Sequence, residues 1–153
     1  MRMTLYGLLV LVHVIAAVVG LGASFGMPVV AKFGAKSVTN AKVCFEINRK
    51  IEMFAKIGSL TLLASGILMA IVNPVLWSQG WFIGSLIIYI LIQPVVAAML
   101  PKTIEKQGDI VMNSGDGELP AEYHQLDKKA AKLNGIAHVA AVLLIVLMST
   151  KPF

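Results

Sequence analysis

Charged side chains are scarce in this sequence of 153 residues, where they make up only 14% of the total. Soluble domains of similar size carry about 25% charged residues. Disordered chains combine high net charge with low hydrophobicity, whereas 58% of the residues here are apolar. The composition therefore excludes most soluble proteins and disordered chains, and it indicates an integral membrane protein.

Cysteine is nearly absent, because Cys44 is the single one in the sequence. One cysteine can form neither an intramolecular disulfide nor a thiolate cluster for a metal. The sequence also lacks the Walker, GxGxxG and HExxH motifs of soluble enzymes. The acidic residues all lie outside the hydrocarbon region, with Glu52 near its interface, so no buried carboxylate for proton relay is indicated. Neither a substrate nor a reaction can be assigned from motifs.

Four long apolar stretches dominate the sequence. About 20 helical residues, each rising 1.5 Å, cross a hydrocarbon layer about 30 Å thick. We therefore predict an all-α fold, an integral membrane antiparallel four-helix bundle in a single domain of residues 1–153. The predicted spans cover about residues 5–31, 50–72, 81–100 and 130–149.

Helical periodicity continues beyond the second span at its charged end. Val43, Ile47, Ile51 and Phe54 share one helix face, while Glu52 and Lys56 form an i,i+4 pair. The three linkers are predicted at residues 32–41, 73–80 and 101–119. In the last of them, the turn-forming residues 113–117 predict a mobile segment.

The basic residues divide unequally between the two ends of the bundle. Of the 13 lysines and arginines, Arg2 and Lys151 lie at the end that holds both termini, and the other eleven lie at the opposite end. The positive-inside rule then places both termini outside the cytoplasm and both longer linkers inside it. Trp77 and Trp81 flank the short outer linker, where interfacial aromatic residues belong. This topology explains the net charge of +5 without a nucleic-acid partner, so we expect the lipid bilayer to be the partner.

Each predicted helix carries one stripe of small or polar residues, and an antiparallel bundle turns such stripes inward. The four stripes are His13, Ala16, Ala17, Gly20 and Ser24; Gly58, Thr61, Ser65 and Met69; Ser85, Tyr89 and Gln93; and Ala131, Asn134, Gly135, His138 and Ala141. Pro94 follows the third stripe and is expected to bend that helix. Gly22 and Gly26 form a GxxxG motif on the opposite face of the first helix, which would allow close packing of another helix or of a second subunit in a homodimer.

Two histidines lie within the predicted spans. His13 comes 11 residues after Arg2, and His138 comes 13 residues before Lys151. Since both flanking charges mark the same membrane face, the sequence predicts similar depths for the two imidazoles. Two histidines at one level are suited to axial ligation of a b-type haem. Asn134, one turn from His138, would orient its ring.

An alternative interpretation gives the histidines no cofactor. In this case they form interhelical hydrogen bonds, with Tyr89, Gln93 or Ser65 as partners. The protein would then be a non-enzymatic membrane protein, either a small-solute carrier or an assembly partner. A proton or solute path is a further alternative.

The segment from His13 to Gly22 and the ending Leu147 to Phe153 resemble an uncharacterised family of predicted four-helix bacterial integral membrane proteins. The sequence is more distantly similar to copper-resistance D-type domains and to the membrane-type protoporphyrinogen oxidase, which is associated with b-type haem. The resemblance maps the early histidine of the oxidase onto His13. The oxidase has a Pro-Arg-Leu segment after that histidine, whereas residues 20–30 contain no arginine. The resemblance therefore implies haem binding and redox or porphyrin chemistry more than the oxidase reaction itself.

Overall fold

The computed structural model describes residues 4–153, and those residues form helices joined by short turns, with no strand among them. The helices are α1 (Leu5–Gly34), α2 (Val38–Val72), α3 (Gly80–Gln93), α4 (Leu100–Asn113) and α5 (Ala121–Thr150). A 3-10 turn, Pro74–Ser78, connects α2 to α3, and a π-helical turn, Pro94–Met99, connects α3 to α4. Since α3 and α4 form one continuous span of 34 residues, four long helices cross the bundle, as predicted.

The first two helices each have an N-cap residue with a side-chain hydroxyl group. The Thr4 side chain accepts a hydrogen bond from the Gly7 N–H, and Ser37 accepts one from the Asn40 N–H. Each bond satisfies a backbone donor that has no partner within its helix. Ser37 therefore begins α2 only three residues after α1 ends, which makes α1 and α2 an antiparallel hairpin with a tight turn.

The backbones of α1 and α2 touch at two glycines. A Cβ atom built on Gly58 would lie 2.6 Å from the backbone nitrogen of Gly20 and 2.9 Å from the carbonyl oxygen of Ala16. Only glycine allows this approach, which maximises van der Waals contact between helices in lipid. The predicted stripe of small residues on α1 therefore faces α2, and Ala16 and Gly20 are both buried.

The second hairpin consists of α3, α4 and α5. At the π-helical turn the Leu100 N–H bonds to the Val95 carbonyl oxygen, five residues earlier. The wider turn accommodates Pro94, which has no N–H to donate. At the end of the chain, the Phe153 carbonyl oxygen accepts a hydrogen bond from the Trp81 N–H at 3.0 Å. This bond joins the end of α5 to the start of α3.

Two apolar clusters join the hairpins, one at each end of the bundle. At the end that contains the chain terminus, which we call the terminal end, Ala70, Leu76 and Phe82 are buried. The opposite end, which we call the basic end, buries a larger cluster of Val38, Ala41, Val111, Leu119 and Tyr123. The hairpins are thus packed together at both ends of the bundle.

The prediction of a linker at residues 101–119 was wrong for its first part, because the chain is helical up to Asn113. Helix α4 continues to Asn113 because Thr103, Gln107 and Val111, spaced four residues apart, form a buried face. The remaining turn is also tied to α2, since the Val38 N–H bonds to Gly117 O and Lys42 Nζ bonds to Ser114 O.

Large apolar side chains cover the outside of the helices. Val29 is 72% exposed, Leu91 71% and Val18 69%. Soluble monomers do not expose contiguous apolar surface on this scale, whereas lipid solvates it. The fold is therefore that of an all-α membrane bundle.

The predicted ion pair between residues i and i+4 on α2 is confirmed, with Lys56 Nζ 2.8 Å from Glu52 Oε1.

Candidate functional site between the two hairpins

His13 forms a hydrogen bond between α1 and α2. Its Nδ1 atom lies 2.9 Å from Oγ of Ser65, a residue that is only 3% exposed. The Ser65 hydroxyl also lies 2.6 Å from the carbonyl oxygen of Thr61, to which it donates in its own helix. Next to Ser65, Gly66 faces the imidazole, and a Cβ there would lie in ordinary van der Waals contact at 3.5 Å from His13 Cε1. The His13 ring therefore fits against α2.

His138 forms a separate contact between α5 and α1. Its Nε2 atom donates a hydrogen bond to the Ser24 carbonyl oxygen at 3.2 Å. The imidazole also stacks on the Phe25 ring, with centroids 4.2 Å apart and planes inclined by 15°. The first and last long helices are therefore neighbours, as the predicted histidine pair requires.

The prediction that His13 and His138 lie at one depth was wrong. Ser24, the partner of His138, lies eleven residues after His13 on α1. At 1.5 Å per residue this separates the two levels by about 16 Å along the helix. The prediction measured depth from Arg2, which lies outside the described residues, and from Lys151. Helices α1 and α5 are shifted along each other, so their ends are not level. Equal distances from Arg2 and from Lys151 therefore correspond to different depths.

The pair does not fit a single haem. Two imidazoles that ligate one iron from opposite sides hold their nitrogens about 4 Å apart, twice a typical metal–nitrogen bond. The separation of about 16 Å between their levels is four times too large. Asn134 does not orient the His138 ring either, because no hydrogen bond joins the two side chains in the described part of the chain. Residues 4–153 likewise contain no cluster of three His, Cys, Asp or Glu side chains suited to a metal ion.

Tyr89 crosses from α3 to α2, where it binds a residue that the sequence analysis did not single out. Its hydroxyl donates to the Ser59 carbonyl oxygen at 3.1 Å and lies 2.8 Å from Ser59 Oγ. Since the Ser59 hydroxyl can donate in return, Tyr89 uses both its donor and an acceptor site. Tyr89 and Ser59 thus bridge the hairpins near the middle of the span.

Helices α2 and α3 diverge around this bridge. No Cα atom of α2 lies within 8 Å of a Cα atom of α3, although Tyr89 spans the gap. The resulting groove has a volume of about 400 Å³ and is lined by Leu60, Leu63, Ile67, Leu86, Tyr89, Ile90 and Gln93. We call it the α2–α3 groove.

Gln93 is the second polar residue of the groove, one helical turn beyond Tyr89. It is half-buried, and its amide forms no hydrogen bond with any other group of residues 4–153. Counted from Gly80 at the start of α3, Gln93 lies about 20 Å along the helix. At such a depth a free amide has no water to bind, which is unfavourable.

Of the predicted site residues, the structure brings together His13 and Ser65, and it places Tyr89 and Gln93 in one groove. His138 and Asn134 lie elsewhere, on α5. The sequence did not mark Ser24 and Ser59 as partners, because Ser24 binds through its backbone carbonyl oxygen and Ser59 through its carbonyl oxygen as well as its hydroxyl. Every residue carries such an acceptor, so no side-chain pattern marks it.

The four long apolar helices, joined by a few polar contacts, are those of a multi-pass integral membrane protein. Within that class, the chain belongs to the family described as predicted integral membrane protein (DUF2269), whose family model matches residues 7–152. Neither curated proteins nor solved structures match the chain. The membership confirms the predicted resemblance to an uncharacterised membrane family, while the similarity to copper-resistance D-type domains and protoporphyrinogen oxidase stays a prediction.

Proposed function

We propose that this protein binds a lipophilic small molecule in the α2–α3 groove and acts as a non-enzymatic carrier in a bacterial inner membrane, with both termini outside the cytoplasm. The observation that carries the proposal is the free amide of Gln93 inside an apolar groove. The ligand has an apolar body and a carbonyl or hydroxyl group that bonds to this amide.

The size and lining of the groove support this function. Its volume of about 400 Å³ falls within the range of about 300–1,000 Å³ typical of small-molecule pockets. Five of its seven lining residues are leucine or isoleucine, and such pockets combine an apolar wall with a few polar groups. The groove opens along the membrane-facing side of α2 and α3, where Leu60 is 68% and Ile90 59% exposed. A ligand can therefore enter from the lipid.

The two polar groups of the groove have different roles. Tyr89 already bonds to Ser59, so it holds α3 at a set distance from α2. Gln93 has two donor hydrogens and an acceptor oxygen to offer. Binding energy comes mainly from apolar contact, and Gln93 selects molecules with a complementary polar group.

The packing of the hairpins allows ligand entry without unfolding. The apolar clusters at the terminal end and the basic end hold the hairpins together, while α2 and α3 stay apart between them. Breaking the hydrogen bonds between Tyr89 and Ser59 would be enough to let the groove widen. The π-helical turn after Gln93 is a further aid, because helices bend readily at such turns.

Mass spectrometry of molecules that copurify with the protein tests this function. Purified from native membranes in a mild detergent, wild-type protein is expected to carry a lipophilic compound in near-stoichiometric amount. Leu63→Trp fills the groove and Gln93→Leu removes the amide, so both variants should lose it. Leu91→Trp is the matched control, because Leu91 lies on α3 outside the groove lining and is 71% exposed. Equal retention in Leu63→Trp and Leu91→Trp would overturn the proposal.

Self-association through Gly22 and Gly26 is a second proposal. A Cβ atom built on either glycine meets no atom within 4 Å, so the motif is free of intramolecular packing. Small residues on such a face allow close approach of a second helix. Crosslinking in membranes should trap a dimer that Gly22→Leu abolishes, whereas a monomer alone in the wild type would argue against it.

A further inference from the structure

A second groove lies on α5, at the side of the bundle that faces away from the α2–α3 groove. It has a volume of about 260 Å³ and is lined by His138, Val139, Val142 and Leu143. The three aliphatic residues are each at least 49% exposed. We call this the α5 groove, and its wall is suited to an alkyl chain.

The face of α5 that carries the groove continues toward the basic end through an open position and then two cations. Gly135 comes one turn before Val139, and a Cβ atom there would meet nothing within 4 Å. Lys132 and Lys128 follow at one and two further turns, and both are exposed. Residues spaced by three or four positions lie on one face of a helix, so the two lysines and Gly135 lie on the same face of α5 as the groove.

Helix α1 adds a third cation at the same level. His138 stacks on Phe25, and Lys32 follows Phe25 by seven residues, which is two turns along the same face of α1. Because α1 and α5 are antiparallel and in contact at Ser24, Lys32 and Lys132 extend toward the same end. They lie about 12 Å and about 9 Å beyond that contact, respectively.

These lysines are not neutralised by acidic neighbours. The single ion pair found in residues 4–153 joins Lys56 to Glu52. None of Lys32, Lys128 and Lys132 therefore has a carboxylate oxygen within 4 Å, although Asp127 is next to Lys128 in sequence. Three positive charges on the basic-end side of an apolar groove are complementary to a molecule with one anionic head and a long alkyl tail.

The length of this face of α5 is the basis for choosing the occupant. From Lys132 to Leu143 is about 16 Å along α5, which matches one leaflet of a hydrocarbon layer about 30 Å thick. We propose that the α1–α5 surface at the basic end is a binding site for an anionic phospholipid. Lys32, Lys128 and Lys132 bind its phosphate, and an acyl chain lies over Gly135 in the α5 groove.

Native mass spectrometry of the purified full-length protein tests this site. Phosphatidylglycerol and phosphatidylcholine are titrated separately in a mild detergent. Each lysine raises the affinity for an anionic lipid by about fivefold. With three lysines, the wild type should bind phosphatidylglycerol at least tenfold more tightly than phosphatidylcholine. Lys128→Gln/Lys132→Gln should reduce that preference to about twofold to fivefold, with no change for phosphatidylcholine.

Two control variants distinguish binding at this specific site from a general attraction between the positively charged protein and an anionic lipid. Lys102→Gln/Lys106→Gln removes two exposed lysines from the same end of the bundle, away from the groove, and should keep the wild-type preference. Equal losses in the two double variants would overturn the proposal. Gly135→Leu fills the open position between the lysines and the groove and should weaken phosphatidylglycerol binding, while Gly84→Leu, at another open glycine, should not. Displacement of the lipid by equimolar glycerol 3-phosphate would also overturn it, because the acyl chain would then contribute nothing.

Discussion

The imidazole of His138 bonds to the carbonyl oxygen of Ser24, eleven residues along α1 from His13. Each histidine therefore belongs to a different interhelical contact, one between α1 and α2 and the other between α1 and α5.

The separation of the histidines predicts the behaviour of the protein toward haem. When haemin is added to purified protein, we expect no six-coordinate, low-spin spectrum of the kind that two imidazole ligands produce. Absorption and electron paramagnetic resonance spectra measure this directly. A low-spin signal in the wild type that disappears in both His13→Ala and His138→Ala would contradict the separation.

Removal of the Ser65 hydroxyl should destabilise the first hairpin. Ser65→Ala leaves Nδ1 of His13 without its partner, and interhelical hydrogen bonds in membranes contribute about 0.6 to 2 kcal/mol. We expect a loss of this size in unfolding titrations of the detergent-solubilised protein. Ser85→Ala is the matched control, since Ser85 is equally buried but bonds to Trp81 in its own helix. The hydrogen bond would have no stabilising role if both variants unfolded at the same denaturant concentration.

Gly58→Ala should be more disruptive than its small size suggests. The added methyl group would collide with the backbone of Gly20, so α1 and α2 must move apart. Overpacking of this kind costs about 1–3 kcal/mol. Gly84→Ala adds the same methyl group to a helix where nothing lies within 4 Å, and it should be neutral or slightly stabilising. Thermal unfolding of the two variants measures the difference, and equal midpoints would contradict the close contact.

The distribution of basic residues predicts which end of the bundle faces the cytoplasm. Cysteines introduced at Ser78 and Asp116 report on the two ends, since both positions are exposed. The background cysteine, Cys44, is buried. In intact cells a membrane-impermeant maleimide should label Ser78→Cys and leave Asp116→Cys unlabelled until the membrane is opened. The reverse pattern would place the termini in the cytoplasm.

The sequence alone determined the class of protein, the number of spans and the unequal distribution of charge. These properties depend on the transfer of each residue between water and lipid, and that free energy is a property of the residue itself. The Glu52–Lys56 pair was predictable for a similar reason, because a helix brings i and i+4 together wherever it lies.

The tertiary structure decided the relative depth of the helices and the partners of their polar groups. Contact between Gly20 and Gly58 sets the register of α1 against α2, while the bond between Trp81 and Phe153 sets that of α3 against α5. A shift of one helix along another leaves hydropathy unchanged but moves every polar residue to a new neighbour. The distances between His13 and His138, and the groove beside Tyr89, therefore follow from packing between helices that no single stretch of sequence encodes.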